Sequence, residues 1–420
     1  MDSDAKFNPL FEPAMPIKIY KKVLESNAFI LGVVILYFII LIVMSFSITG
    51  VNHFGLLAES FLAGKTYFLS MPNSWMDTVP HDGQHYWPLG PFPAIVLVPF
   101  ETLLNQFHLH VPQRVVHLPL VAGVFLLTRS IAKKHGYSRS DSTFLALAFC
   151  AASMFVGVSW LQLSWYFPHV IVVFLLFVAI TESLGRNRSW IIGLTFGFIV
   201  MTRATAVIGI IYFILLAMAG HRKDPRKIIR ELSFLLLPVF TAVVLLAGYN
   251  YLRFGDPIEQ GYSNQILVMP ELIRARSYGL FAIVHIPGNL YYSLLAVPLP
   301  IFRDQVSHVL TFPFLKADLW GMSLFLTSPY LFLLFTFQYT DRHSRFLWTA
   351  IVATAIPISL NYGIGYIQFG YRYALDFFPF LFFIFLLKYK EQHENLSTGL
   401  KSLIVLSAGI NIWFVIFLLR

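Results

Sequence analysis

Cysteine is almost missing from this sequence. Cys150 stands alone among 420 residues, inside the apolar run FLALAFCAASMFVG. One thiol builds no disulfide framework and no cysteine metal site. Charge is scarce as well: Asp, Glu, Lys and Arg make up 12% of the chain, where soluble domains carry roughly 25%. A soluble fold has too little interior to hide 57% hydrophobic residues, whereas a bilayer accepts them at little cost. No internal repeat or low-complexity tract is visible, which argues against the matched halves common in secondary transporters.

What is present fits that reading. Phe occurs 42 times, Tyr 20 and Trp 8, and rings with a polar edge gather at membrane–water interfaces. The net charge of +9 reads as a basic cytoplasmic face rather than a nucleic-acid surface. A bilayer core takes about 20 apolar residues per helix. Runs of that kind are Ala28 to Thr49, Val115 to Ala132, Thr143 to Trp160, Val170 to Glu182, Leu232 to Leu252, Trp320 to Tyr339, Phe346 to Tyr362, Tyr373 to Leu387 and Leu403 to Leu419. Trp190 to Gly220 is one long stretch broken by Thr202-Arg203, and Pro91 to Leu104 is weaker, being Pro-rich and containing Glu101. Charged residues and prolines fill the first 27 positions, so the first run is expected to remain as an anchor rather than be cleaved.

Short basic connections set the orientation. Lys18, Lys21 and Lys22, then Lys133, Lys134 and Arg139, Arg186 and Arg188, the cluster from His221 to Arg230, Arg342 and Arg345, and Lys388 and Lys390 are expected on the cytoplasmic side. Two long segments, residues 50–90 and 253–318, then fall on the exoplasmic side. The expected fold is a single all-α polytopic membrane domain over 1–420, with about 11 to 12 spans and two exoplasmic loops containing interfacial helices. The parity before Lys133 leaves two options: the Pro91 segment is re-entrant, or Lys133 is exoplasmic.

The first loop carries the densest chemistry. HFGLLAESFLAG spaces its apolar residues like an interfacial helix. Beyond it Asp77, His81, Asp82 and His85 fall within nine positions. A carboxylate held among aromatic rings can serve as a general base, and the ordinary alternative is a solvated loop. The same spacing permits a divalent metal but matches no strong metal motif. Arg203 and Arg372 lie in or beside apolar runs, where charge is costly and faces a cavity or an end. Arg suits phosphate through its planar fork; the alternatives are snorkelling or a helix-packing ion pair for Arg203 and an interfacial anchor for Arg372. His169, in SWYFPHV, lines a cavity or caps a helix. Arg274, Arg276 and Arg303 in the second loop read as solvated charges within reach of phosphate.

The stretch D-T-x-x-x-x-G-x-x-Y-W-P-x-G-P-F-P-A from Asp77 to Ala94, MTRAT at Met201 to Thr205, NYLRFGDPIEQGY at Asn250 to Tyr262 and GYRYALDFFPF at Gly370 to Phe380 together resemble the glycosyltransferase-C superfamily. They look most like the branch of protein O-mannosyltransferases and the lipid A aminoarabinose transferase. That resemblance implies a multi-pass plasma (inner) membrane glycosyltransferase using a polyprenyl-phosphate sugar donor and a lipid, glycan or protein acceptor at the exoplasmic face. It places the catalytic acid at Asp77, with Asp82 second and Glu59 third, and implies substrate contacts from Arg372, Arg203, Tyr86, His85 and His169. No cofactor is implied. A transporter or lipid-linked sugar flippase is the alternative reading of the same composition.

Overall fold

The structure, a computed structural model, describes residues 22–47, 50–72, 75–107, 109–304 and 306–418. Lys18 and Lys21 lie outside these. The chain is mostly helical. Among the described residues, four helices are long and apolar enough to cross a membrane: α1 (Asn27–Ser47), α4 (Arg114–Lys134), α10 (Pro225–Phe254) and α16 (Thr398–Phe417).

Helix starts follow the local sequence. Ser138, Asp224, Ser323, Asp341 and Ser397 each accept a hydrogen bond from the backbone N–H three residues on, which satisfies one of the first-turn donors. Gly255 closes α10 in the left-handed conformation at φ 71°, open to glycine at no steric cost. Helix α8 (Ser189–Val200) lies along α10. Gly193 and Gly197 permit this: a Cβ on Gly193 would stand 2.4 Å from the Leu235 carbonyl oxygen, and one on Gly197 3.1 Å from that of Pro238. Small residues four apart let two backbones approach where lipid supplies no hydrophobic drive between helices.

Contacts sort the helix ends onto two faces. On one, Lys134 donates to the Thr181 carbonyl at the end of α7 (Phe167–Ser183), and Ser189 bonds Glu231. There too Lys388, near the end of α15 (Phe378–Gln392), pairs with Asp341 ahead of α14 (Arg342–Leu360). Lys401 meets Asp141, at the start of α5 (Arg139–Cys150), at 2.8 Å. The basic connections from Lys133 to Lys390 listed by sequence therefore gather on this face. The two long connections meet on the other, where Arg253 donates to the Trp87 carbonyl at 2.6 Å.

The weak apolar run becomes α3 (Phe92–Asn105), which packs along α2 (His53–Leu62) on the long-loop face. Glu101 is fully buried and accepts the Val111 N–H at 2.7 Å, while Asn52 donates to the Val111 carbonyl at 2.7 Å. Both ends of α3 thus stay beside the first loop, and α4 departs from the face on which α1 arrives. The break at Thr202-Arg203 ends α8. A 3-10 turn, Ala204–Gly209, and α9 (Ile210–Gly220) then lead back toward the basic face.

Candidate active site

The first long connection folds on itself before it reaches the site. Strands β1 (Val79–His81) and β2 (Gln84–Tyr86) pair antiparallel around Asp82-Gly83. Both turn residues have positive φ, 46° and 72°, as a two-residue Asp-Gly hairpin turn requires. Asp82 at the tip is 88% exposed and stands 3.5 Å from His81. His85 stacks on Trp75 at 3.9 Å, with its Nδ1 2.9 Å from the Thr78 hydroxyl. Tyr86 is buried against Phe254.

Asp77, immediately before β1, is placed by the second long connection. Its N–H donates to the Ile266 carbonyl at 2.8 Å, and the Ile266 N–H donates to the Thr78 carbonyl at 2.9 Å. The Gln265 amide donates to the Asp77 carbonyl at 3.2 Å and reaches its Oδ1 at 3.4 Å. Arg276 fixes that same segment through the carbonyls of Gln265, 2.7 Å, and Tyr262, 3.2 Å. Asp77 carries φ of 64°, a conformation uncommon for a residue with a side chain. Burial pushes its carboxyl up to about 6, and the Arg372 charge opposes that rise.

Arg372 opens a 3-10 turn, Arg372–Asp376, that leads into α15. Its Nη1 donates to the Tyr366 carbonyl and to Gln368 Oε1, both at 3.2 Å, while its buried Nε has no partner. The guanidinium lies over the rings of Tyr166 and Tyr373, 5.4 and 5.1 Å from their centres. Arg203 lies 5.4 Å from the centre of the same Tyr373 ring, but it is committed differently. Its Nε and Nη2 fork onto the two Asp376 oxygens at 2.7 and 3.0 Å, the bidentate geometry that suits guanidinium to carboxylate. Thr205 adds a third bond to Asp376. His169, fully buried, holds Nδ1 3.9 Å from Asp376 Oδ1, too far for a hydrogen bond.

Tyr262 and Tyr362 complete the cluster. Burial raises the Tyr262 phenol to about 12 against the pull of the Arg203 charge. Burial also raises that of Tyr362, with smaller contributions from Tyr373, Tyr262 and Asp77. Segments from the first loop, the second loop, the break after α8 and the approach to α15 thus converge. They bring together a carboxyl poised near neutrality, a guanidinium with a free edge and several phenol rings. Such a set can accept a proton, neutralise a phosphate oxygen and offer flat faces to a sugar.

No family model, no curated protein and no solved structure matches this chain.

Of the residues singled out by sequence, Asp77, Arg372, Arg203 and His169 are brought into this cluster. Asp82, His85 and Tyr86 sit on the hairpin, and Glu59 lies elsewhere, 3.7 Å from His110. Among the described residues, no group of three His, Cys, Asp or Glu side chains is placed to hold a metal ion. Arg276, expected as a solvated charge within reach of phosphate, instead holds the Gln265 and Tyr262 carbonyls, and Asp376, Tyr373, Tyr262, Tyr362 and Gln265 were missed as members. Two of these, Asp376 and Tyr373, stand inside the quoted GYRYALDFFPF, where a second acid four residues after Arg372 was the available signal.

Proposed function

We propose that this chain is a multi-pass membrane glycosyltransferase. It moves a sugar from a polyprenyl-phosphate donor to an acceptor at the membrane face that carries the long loops. The observation that carries the reading is the convergence of Asp77, a carboxyl raised to about 6 by burial, with Arg372, whose charge opposes that rise and whose buried Nε has no partner. The resemblance to the glycosyltransferase-C superfamily points to the same two residues.

In this reading the chain runs between the two faces along α1, α4, α5 with Phe155–Trp160, α7, α8, the 3-10 turn with α9, α10, the 323–338 segment, α14, α15 and α16, which makes eleven passes. The basic face is cytoplasmic by the positive-inside rule, so the site opens on the exoplasmic side of the plasma membrane.

The chemistry follows from the parts. Asp77, largely carboxylate at pH 7, takes the proton from the acceptor hydroxyl. The acceptor oxygen forms a bond to the anomeric carbon as the bond from that carbon to the phosphate oxygen breaks. The electron pair leaves on the phosphate, where the free edge of Arg372 meets it. Arg203, held by Asp376, orients Tyr373 and balances charge rather than gripping the donor.

The test is to incubate purified protein with a panel of polyprenyl-phosphate sugars and an acceptor extract and to follow release of free polyprenyl phosphate. Movement of intact donor across the membrane without release would replace the enzyme by a flippase.

A further inference from the structure

The second long connection contains a segment built inside out. From Ser277 to Phe302 there is no Asp, Glu, Lys or Arg. Residues 283–295 coil continuously through 3-10, α and π turns. The polar side chains Asn289 and Ser293 face the protein at 1% and 8% exposure. The Asn289 amide donates to the carbonyls of Ser359 and Asn361 at 3.1 and 2.8 Å, and its oxygen accepts the Tyr371 hydroxyl at 2.7 Å. The outward positions are Ile283, Val284, Leu290, Tyr291, Leu294 and Leu295, exposed by 41% to 78%. A helix in water shows the opposite polarity.

We infer that this segment is inserted into the acyl region of the adjoining leaflet rather than resting in water above it. The inference rests on the membrane part of the reading above and is independent of the transferase chemistry. Three observations select lipid as the occupant of the exposed face.

The first is continuity. The segment is joined to the end of α14 by Ala282 N–H to the Leu360 carbonyl, 2.9 Å, and Tyr362 N–H to the Leu280 carbonyl, 3.0 Å. The outward residues Val352 and Ile356 of α14 are themselves 54% and 56% exposed, so one apolar surface runs from helix to segment. The second comes from the hairpin that follows, β3 (Leu299–Phe302) with β4 (Leu310–Lys316). Its Phe312 rests on Trp413 and Phe417 near the end of α16, at 5.5 and 5.8 Å between ring centres, which ties this connection to one of the four helices suited to cross a membrane. The third is the lack of polar groups. Protein interfaces carry about one hydrogen bond per 100–200 Å², and among the outward side chains only the Tyr291 hydroxyl could supply one.

Asn289 also gives the inserted segment a direct bond to Tyr371, the residue before Arg372. The bilayer therefore braces the turn that carries the guanidinium.

The experiment places single nitroxide labels at Ile283→Cys and Leu294→Cys, in a Cys150→Ala background, in phosphatidylcholine proteoliposomes. Leu406→Cys on the exposed face of α16 serves as the lipid reference and Asp82→Cys at the hairpin tip as the water reference. Collision rates with oxygen and with a water-soluble nickel chelate are then compared. Both segment labels are expected to match Leu406, with oxygen-to-nickel ratios severalfold above Asp82. Ratios like that of Asp82 would overturn the insertion. Low collision with both reagents would also overturn it, assigning the face to a protein partner or a second copy. A water-like signal at Leu406 itself would instead defeat the membrane reading, so the two failures are distinct.

Discussion

Replacing Asp77 by Asn isolates the proposed base from everything else in the site. The substitution keeps the side chain's size and the backbone bond to Ile266, and removes only the capacity to take a proton. Loss of a general base costs about a hundred- to ten-thousand-fold in rate, or roughly 3–5 kcal/mol of barrier. Folding moves the other way. The acid's folded value of about 6 lies above its ordinary 3.8, so the stability it contributes is full below pH 4 and is lost as pH rises toward 6. At pH 7 the wild type therefore carries a cost of at most about 3 kcal/mol, reduced by solvent screening, and the Asn variant does not. Asp77→Asn should be inactive yet melt at or above the wild-type temperature. The wild-type rate should fall about tenfold per pH unit below about 6 and level off above it, because the carboxylate is the active form. The assay is release of polyprenyl phosphate, with donor binding measured separately. Asp82→Asn, at an exposed turn, and Glu59→Gln, beside His110, should each cost far less. Near-normal transfer by Asp77→Asn would remove the base. Equal and mild effects of all three substitutions would remove the catalytic reading of the loop.

Arg372→Ala should weaken donor binding by roughly 1.5–3 kcal/mol, seen in the donor's Kd, while Arg345→Ala in the first turn of α14 leaves it unchanged; equal affinities would take Arg372 out of the site. Arg203→Ala strands a fully buried Asp376 and should cost about 3–5 kcal/mol of stability. Joint replacement by Arg203→Met and Asp376→Leu should melt closer to wild type than either single change, and additive losses would contradict the pairing. Cysteines at Asp82 and Arg226 should label from opposite sides of the membrane, Ser74 lying outside the described residues; labelling from one side would overturn the proposed orientation. Gly193→Val places a branched side chain against the Leu235 carbonyl oxygen and should lower the melting temperature clearly more than Gly248→Val, where nothing lies within 4 Å.

The long helices were legible because a long apolar run needs no tertiary information to be recognised. The role of Pro91 to Leu104 was not, because its direction is set by the buried Glu101 and the Val111 N–H, a contact made only after the loop closes. Asp77 and Arg372 stood out as an acid and a cation in costly surroundings, but they lie 295 positions apart and no local pattern encodes their mutual influence. Arg203 could be read as a phosphate contact or as an ion-pair partner, and its partner Asp376, 173 positions away, was not visible from the local sequence. Interfacial helices were expected in the second loop, but the position of the inside-out segment was not legible because Pro287, Pro298 and Pro300 break its apolar run.

The Arg203–Asp376 pair also has a history in time. The two residues are 173 positions apart, and a ribosome adding about 5–20 residues per second needs on the order of 10–30 s to bridge that gap. Throughout that interval the guanidinium has entered the growing bundle while its carboxylate has not yet been made. A nascent chain stalled before Asp376 would hold an uncompensated charge at the broken end of α8. The last third of the protein is thus needed to finish a helix pair laid down in the first half, and truncations that spare Asp77 and Arg203 still leave the site unbuilt.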